Sequence, residues 1–264
     1  MRRLLLVLFS CISIVALSGA SGCKNKQKTQ ETTSSTSTEA VSETPAVQEE
    51  VLHEEPVAYD INDTAAKVLI KTKFGDMVVL LYNETPLHKA NFLKLVSEKY
   101  YDDLLFHRCI KNFMAQGGDP NSRGASLNQY LGTGGPGYTI PAEFNPKYIH
   151  KKGALCAARQ GDHVNPEKRS SGSQFYLVQG TKLNDMQLSQ MESYVAQKMP
   201  GFKYTDEQRN IYKTIGGTAQ LDMDYTVFGE IISGLDVLDM ILAQPTQQGD
   251  RPIEDITMKM EIIK

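Results

Sequence analysis

A chain of 264 residues that is 41% hydrophobic and 22% charged, with a formal net charge of -3, has the composition of a globular protein with a sizeable core. Collagen-like, wholly disordered and polytopic membrane chains are excluded, and the lack of a basic surplus argues against a surface built to grip nucleic acid. Four cysteines are too few to staple a domain of this size, and the chain has no tryptophan.

Met1 to Cys23 reads as an export signal. Arg2 and Arg3 form its positive end, Leu4 to Leu17 its apolar run, and Ser18 to Gly22 a small-residue stretch that ends at Cys23. The apolar run is short for a membrane-spanning helix. Ala20-Ser21-Gly22-Cys23 resembles the lipobox of bacterial lipoproteins, with Ala20 where leucine is commoner. The resemblance implies a signal peptide over 1–22, acylation of Cys23 and a lipid anchor in the bacterial cell envelope; the alternative is an uncleaved N-terminal anchor. Lys24 to Val57 is built of Lys, Gln, Thr, Ser, Glu and Pro without helical or strand periodicity, so 23–64 reads as lipid anchor and disordered tether.

Order is expected from residue 65. Val68–Thr72 and Met77–Tyr82 predict a hairpin around Lys73-Phe74-Gly75-Asp76, and Thr85-Pro86 predicts an N-cap and first turn of a helix reaching Tyr100. Strands follow at Leu105–Ile110, Phe113–Gln116, Gly153–Ala157, Gln174–Val178, Val227–Ile232 and Ile256–Ile263. In the last, Ile256, Met258, Met260 and Ile262 alternate onto one face. Between Asn184 and Gly217 the spacing turns helical, with Leu188, Met191 and Val195 on one stripe and Thr205 with Gln208 as a capping box. A short helix spans Leu235–Leu242. Many short strands with few helices predict a mainly β fold, a closed antiparallel barrel or a sandwich, interrupted by a helical hairpin over 184–217.

The chemistry concentrates in Phe106-His107-Arg108-Cys109-Ile110 and Phe113-Met114-Ala115-Gln116-Gly117-Gly118-Asp119. In extended strands Phe106, Arg108 and Ile110 share one face, and Met114 and Gln116 share one on the next strand, which sets a cation among apolar groups with an amide nearby. The plain alternative is an arginine at a barrel rim paired with a carboxylate. Two further blocks, Gly172-Ser173-Gln174-Phe175 and Leu221-Asp222 leading to Thr226-Val227-Phe228-Gly229-Glu230, complete a pattern that closely resembles the cyclophilin family of peptidyl-prolyl cis-trans isomerases over about 65–264.

The resemblance implies a closed eight-stranded antiparallel barrel capped by helices, with an outer groove that binds proline in peptides. Position by position, it makes Arg108 the catalytic arginine and Gln116 the glutamine that orients it and contacts substrate. Phe113, Met114, Tyr176 and Leu221 become walls of the proline pocket, and Ala158 and Gln174 groove residues for the amino acids preceding proline. Two departures bear on groove selectivity: Tyr225 stands where many members have histidine, and Gln220 where the best-known members have tryptophan. No cofactor or metal is implied. The implied partners are proline-containing, unfolded or folding polypeptides and, through lipid on Cys23, a membrane; nucleic acid is not among them, and the chain is expected to be monomeric. The hairpin is expected at the edge of the groove, affecting preference among protein substrates more than turnover of short peptides. The competing class is a non-catalytic module that uses the same groove, or the inserted helices, to hold a partner.

Some signals carry no chemistry. Gly132 to Gly137 matches G-x-G-x-x-G by letter but follows no strand and opens no helix. His107 and Cys109 share a strand face without a third ligand. Ser170, Ser171 and Ser173 near His163 lack a nucleophile-elbow context. Cys109 and Cys156 could pair in an oxidising compartment, but the favoured reading is buried free thiols on two strands.

Overall fold

The computed structural model describes residues 66–263; the expected export signal, Cys23 and the tether through residue 64 lie outside them. The β-rich runs pair as the sequence predicts. Strands β1 (Lys67–Thr72) and β2 (Gly75–Leu81) form the first hairpin, with Gly75 at φ 125° in its turn. Helix α1 (Pro86–Ser97) follows, then β3 (Arg108–Ile110), β4 (Met114–Gly117), β5 (Thr139–Ile140), β6 (Ala154–Ala157), β7 (Ser170–Ser171) and β8 (Phe175–Val178). Helices α2 (Asp185–Lys198) and α3 (Asp206–Thr214) precede β9 (Val227–Ser233), α4 (Leu235–Leu242) and β10 (Lys259–Ile263).

Eight strands form one antiparallel sheet in the order β10-β1-β2-β9-β6-β8-β4-β3, and β5 pairs with β7 in a separate two-stranded sheet. The sheet curls into a half-barrel and stays open, which corrects the closed barrel expected from the sequence. Its two edges, β3 and β10, share no ladder. Near them, Leu105 bridges Thr257, and the Phe106 and Met258 amides donate to the Ile256 and Leu104 carbonyls, each at 2.9 Å. The physical reason is local: the Cys109 amide on β3 donates to the Asp250 carbonyl at 2.8 Å, so a loop takes the edge that a closing strand would need. For the same reason β3 is shorter than Leu105–Ile110, and Phe106 is buried in the core rather than displayed beside Arg108.

Strand alternation divides the side chains into two clusters. Val68, Ile70, Met77, Val79, Leu155, Phe175 and Leu177 point inward and meet Phe92 and Val96 of α1 and Leu238 and Ile241 of α4. On the opposite face of the sheet, Met114, Cys156, Tyr176, Val178 and Val227 form a second apolar layer. This outer layer is why β6 and β8 are buried at every position. On β10 the alternation holds for Met260, with Ile256 and Met258 buried before it, but Ile262 is exposed.

Two local signals resolve differently from expectation. Thr85 makes no side-chain cap on α1; its hydroxyl donates to the Tyr82 carbonyl. The cap comes from Glu143, whose carboxylate accepts from the Leu87 and His88 amides at 3.0 and 2.9 Å. An anion at a helix N-terminus satisfies otherwise unpaired N–H groups and suits the helix dipole. The helix also ends at Ser97 rather than Tyr100, with Lys99 at φ 57° turning the chain.

The 184–217 segment is two helices with their own apolar cluster, in which Leu188, Val195, Phe202, Tyr204 and Tyr212 pack with Ile149 and Ala219. Asn184 with Gln187 and Thr205 with Gln208 each form a reciprocal capping box, at 2.9 and 3.1 Å. At its base, Gly217 and Thr181 exchange backbone hydrogen bonds, and a Cβ on Gly217 would meet the His150 carbonyl oxygen at 2.2 Å.

Candidate active site

Strand register assembles the site. Arg108 stands opposite Gln116, Gln116 opposite Tyr176, and Tyr176 opposite Cys156, so these side chains run across one sheet face from edge to centre. Met114, two residues from Gln116, falls on the same face. The β3–β4 turn carries Asn112 at φ 63°, a conformation that asparagine tolerates better than most residues, and it presents Phe113 beside Met114. The Phe113 carbonyl is pinned by the Gln179 and Gly180 amides at 2.9 and 3.1 Å. Leu221 and Tyr225 come from the segment between α3 and β9, and Ala158 directly follows β6.

Arg108, Phe113, Met114, Gln116, Ala158, Tyr176, Leu221 and Tyr225, together with Arg159, line a shallow pocket of about 120 Å³. Sequence reasoning does not find Arg159. Its guanidinium lies 4.5 Å from the Tyr225 ring centre and its Nε donates to the Asp224 carbonyl at 2.8 Å, bracing that wall. Tyr225 meets Tyr176 edge-on at 6.0 Å.

Gln174 and Gln220 fall outside this lining. Gln174 is buried in the adjoining groove of about 680 Å³, which Gln116 and Ala158 also line. Gln220 is exposed on the short turn Ala219–Leu221, next in the chain to the Leu221 wall.

The polar contacts differ from those the resemblance implies. The hydrogen bond of Gln116 goes to Gln174: its Nε2 donates to Gln174 Oε1 at 2.9 Å, and Gln174 Nε2 donates to the Gly134 carbonyl at 2.7 Å. Arg108 engages Asp250 through Nε at 3.3 Å, both side chains being more than a third exposed. The arginine is therefore at once a rim residue paired with a carboxylate and part of the pocket lining. Such a solvent-exposed pair holds weakly, and the terminal guanidinium nitrogens carry further donors.

The glycine-rich segment 132–137 is a wall of the groove. Buried Asp119 straps it down, accepting from the Gly132 and Gly134 amides at 2.5 and 3.3 Å and from Asn121 at 2.8 Å. A side chain on Gly134 would overlap that carboxylate at 2.1 Å, so glycine is required there by close approach.

Other candidate groups are inert by environment. Burial pushes the Cys109 thiol up to about 12 and Cys156 well above its usual range, and both are free thiols. Burial likewise holds His107 down at about 4, the Asp119 charge offsetting only part of the shift. Ser170 meets His88 rather than His163: its hydroxyl is 2.9 Å from His88 Nε2, while His88 Nδ1 is 2.6 Å from Glu143. That serine–histidine–carboxylate line lies at 2% exposure for both Ser170 and His88, beside a cavity of about 10 Å³, so no substrate reaches it. Among the described residues no group of three or more His, Cys, Asp or Glu side chains is placed to hold a metal ion.

The half-barrel thus carries its main core on one face of the sheet and, on the other, an apolar recess that opens into a more polar groove. The chain belongs to the cyclophilin-type peptidyl-prolyl cis-trans isomerases: the family model described as cyclophilin type peptidyl-prolyl cis-trans isomerase/CLD matches residues 67–262. It is 33% identical over 207 residues to a putative peptidyl-prolyl cis-trans isomerase of Staphylococcus saprophyticus, covering 78% of this chain and 95% of that one. It is 35% identical over 201 residues to a putative bifunctional phosphatase/peptidyl-prolyl cis-trans isomerase of Streptococcus pyogenes, covering 75% of this chain but 38% of that longer protein. A crystal structure of a Cryptosporidium parvum cyclophilin type isomerase aligns with a TM-score of 0.55 at 25% identity, covering 76% of this chain and 98% of that one.

Proposed function

We propose that this isomerase is an exported, lipid-anchored enzyme that accelerates rotation about Xaa–Pro bonds in polypeptides outside the cytoplasm and so assists their folding, with Arg108 as the group that lowers the barrier. The observation that carries the reading is the Arg108 guanidinium on the rim of a recess walled by Phe113, Met114, Tyr176, Leu221 and Tyr225. Rotating an amide costs about 18–20 kcal/mol because resonance is lost. Twisting the bond returns the lone pair to the proline nitrogen, so a cationic donor near that nitrogen favours the twisted state over the planar one. No nucleophile, acid, base or metal is needed.

Uncatalysed isomerisation takes roughly 10–100 s, so turnover on the order of 100 per second requires a barrier lower by about 5 kcal/mol. One charge-assisted hydrogen bond contributes about 1.5–3 kcal/mol. Clamping of the proline ring by Phe113, Met114 and Leu221 supplies the remainder, while Gln116, Gln174 and Ala158 hold the residues before proline. The non-catalytic module is the weaker reading, since such a module has no use for a cation at the rotating bond. Isomerisation of a short Xaa–Pro peptide by the chain lacking residues 1–57 tests the choice, and a folded domain without turnover would leave only the binding module.

Export and anchoring rest on the residue pattern of Met1–Cys23. A single acyl chain anchors only marginally, whereas the several chains of a lipoprotein cysteine anchor stably. Cys23→Ser is expected to move the protein from the membrane fraction to the soluble exported fraction. Retention at the membrane by an unacylated Cys23→Ser protein would show that the signal stays uncleaved or that the domain docks by itself.

Gln220 bears on inhibitor selectivity. In the cyclosporin-sensitive members that the sequence resembles, an indole at this position donates a hydrogen bond to the drug and covers part of it. Exposed Gln220 keeps a donor but offers little contact area and must be ordered on binding. With one interface anchor missing, cyclosporin inhibition is expected to be about thirtyfold weaker or more than in Gln220→Trp, while turnover persists in both. Equal inhibition of the two proteins would show that Gln220 does not meet the drug.

A further inference from the structure

Behind the pocket lies a buried polar chain that neither the rotation chemistry nor the groove uses. Tyr176 forms a pocket wall, and its hydroxyl is 3.0 Å from His150 Nε2. His150 Nδ1 is 2.7 Å from Asp222 Oδ1, which also accepts from the His150 amide at 2.8 Å. The other oxygen, Asp222 Oδ2, accepts from the hydroxyls of Tyr204 and Tyr212 at 2.7 and 2.6 Å. All five residues are at 5% exposure or less. Burial keeps the three tyrosine hydroxyls protonated, with pKa values raised above the usual range, so they remain donors.

Two members of this chain belong to the inserted helices, since Tyr212 is on α3 and Tyr204 is in the link between α2 and α3. Asp222 directly follows Leu221, a second pocket wall. Asp224, two residues further on, is bracketed by Lys198 of α2 and by Lys168, and directly precedes Tyr225, a third wall. The segment 221–225 is thus clamped from the hairpin at both carboxylates that lie between its pocket residues.

We propose that the α2–α3 hairpin is a positioning part of the isomerase pocket, acting through Asp222 to hold Leu221 against Tyr176. The inference rests on the isomerase reading of that pocket, and it reverses the expectation from sequence that the hairpin matters less for short peptides than for protein substrates. The physical basis is that a buried carboxylate tolerates its charge only while its oxygens are paired. Without the two tyrosine hydroxyls, Asp222 Oδ2 loses both donors and the turn that carries Leu221 shifts to find others. Because the network sits in a low dielectric, its members act together rather than singly.

The test uses the full chain with Tyr204→Phe and Tyr212→Phe combined, which keeps both rings in the hairpin's apolar cluster and removes only the hydroxyls. On a short Xaa–Pro peptide, kcat/KM is expected to fall about tenfold, chiefly through a higher KM, because the wall that meets the ring is displaced while Arg108 is untouched. Val195→Ala, which opens a void in the same cluster and breaks no bond to Asp222, serves as the stability control; it is expected to lower Tm with KM unchanged.

A folded double variant with wild-type KM, or a KM rise that Val195→Ala reproduces, would overturn the proposal. If the double variant does not fold, Tyr204→Phe alone carries the same test, with an expected loss of about threefold in kcat/KM and the same two overturning results. A wild-type protein inactive in this assay would instead remove the isomerase reading, and the inference with it.

Discussion

Arg108→Ala is expected to lower kcat/KM for a short Xaa–Pro peptide by about a hundredfold or more, the usual effect of removing a donor aimed at developing charge. The side chain reaches the pocket rim from a strand whose neighbours hold it by backbone bonds, and its partner Asp250 is solvent-exposed, so the fold should survive. Circular dichroism and Tm establish that the variant is folded, and a coupled peptide assay reads the rate. Arg108→Lys should also be poor, because a point charge on a flexible stem does not reproduce the planar fork. Wild-type turnover in a folded Arg108→Ala protein would sink the assignment of barrier lowering to this guanidinium.

The largest expected loss of stability is at Phe175. Its ring meets Phe92, Tyr101 and Phe106 edge-on, at centroid distances of 5.7, 5.7 and 6.1 Å, and it is 1% exposed. Phe175→Ala removes a side chain that three aromatic rings pack around, and is expected to cost about 3–5 kcal/mol. For a domain of this size, that lowers Tm by roughly 6–20 °C. Phe175 also precedes Tyr176 on β8, so the loss acts through the strand that carries a pocket wall. Below the new Tm, peptide turnover should persist at a reduced level. Calorimetry decides the matter: an unchanged Tm would mean that the ring cluster relaxes around the void without cost.

Much of the fold is legible in the sequence because its signals are local. The β1–β2 hairpin, the helical stripe of Leu188, Met191 and Val195 and the capping box at Thr205 each depend on residues a few positions apart. The site is legible for a different reason. Arg108, Met114 and Gln116 sit on one hairpin, where strand period puts Met114 and Gln116 on one face and the short turn sets Arg108 opposite Gln116 and Phe113 beside Met114. The α1 cap is not legible, because Glu143 reaches Leu87 from 56 residues away and nothing near Thr85 announces it. Arg159 escapes sequence reasoning because an arginine after Ala158 has no periodic signature; only the fold lays it over Tyr225.

By itself, then, the sequence determined the antiparallel β class and the inserted helices, since periodicity is written along the chain, and its three motif blocks determined the family, whose resemblance named every residue of the pocket lining but Arg159. Only the tertiary structure decided that the sheet stays open, because Asp250 takes the hydrogen-bonding edge of β3. It alone turned Gln116 toward Gln174 and Arg108 toward Asp250, since which partner a polar side chain meets depends on loops distant in sequence. It alone joined Tyr176, His150, Asp222, Tyr204 and Tyr212 into one buried chain. A buried carboxylate collects donors from wherever the packed chain brings them, and no local pattern records that requirement.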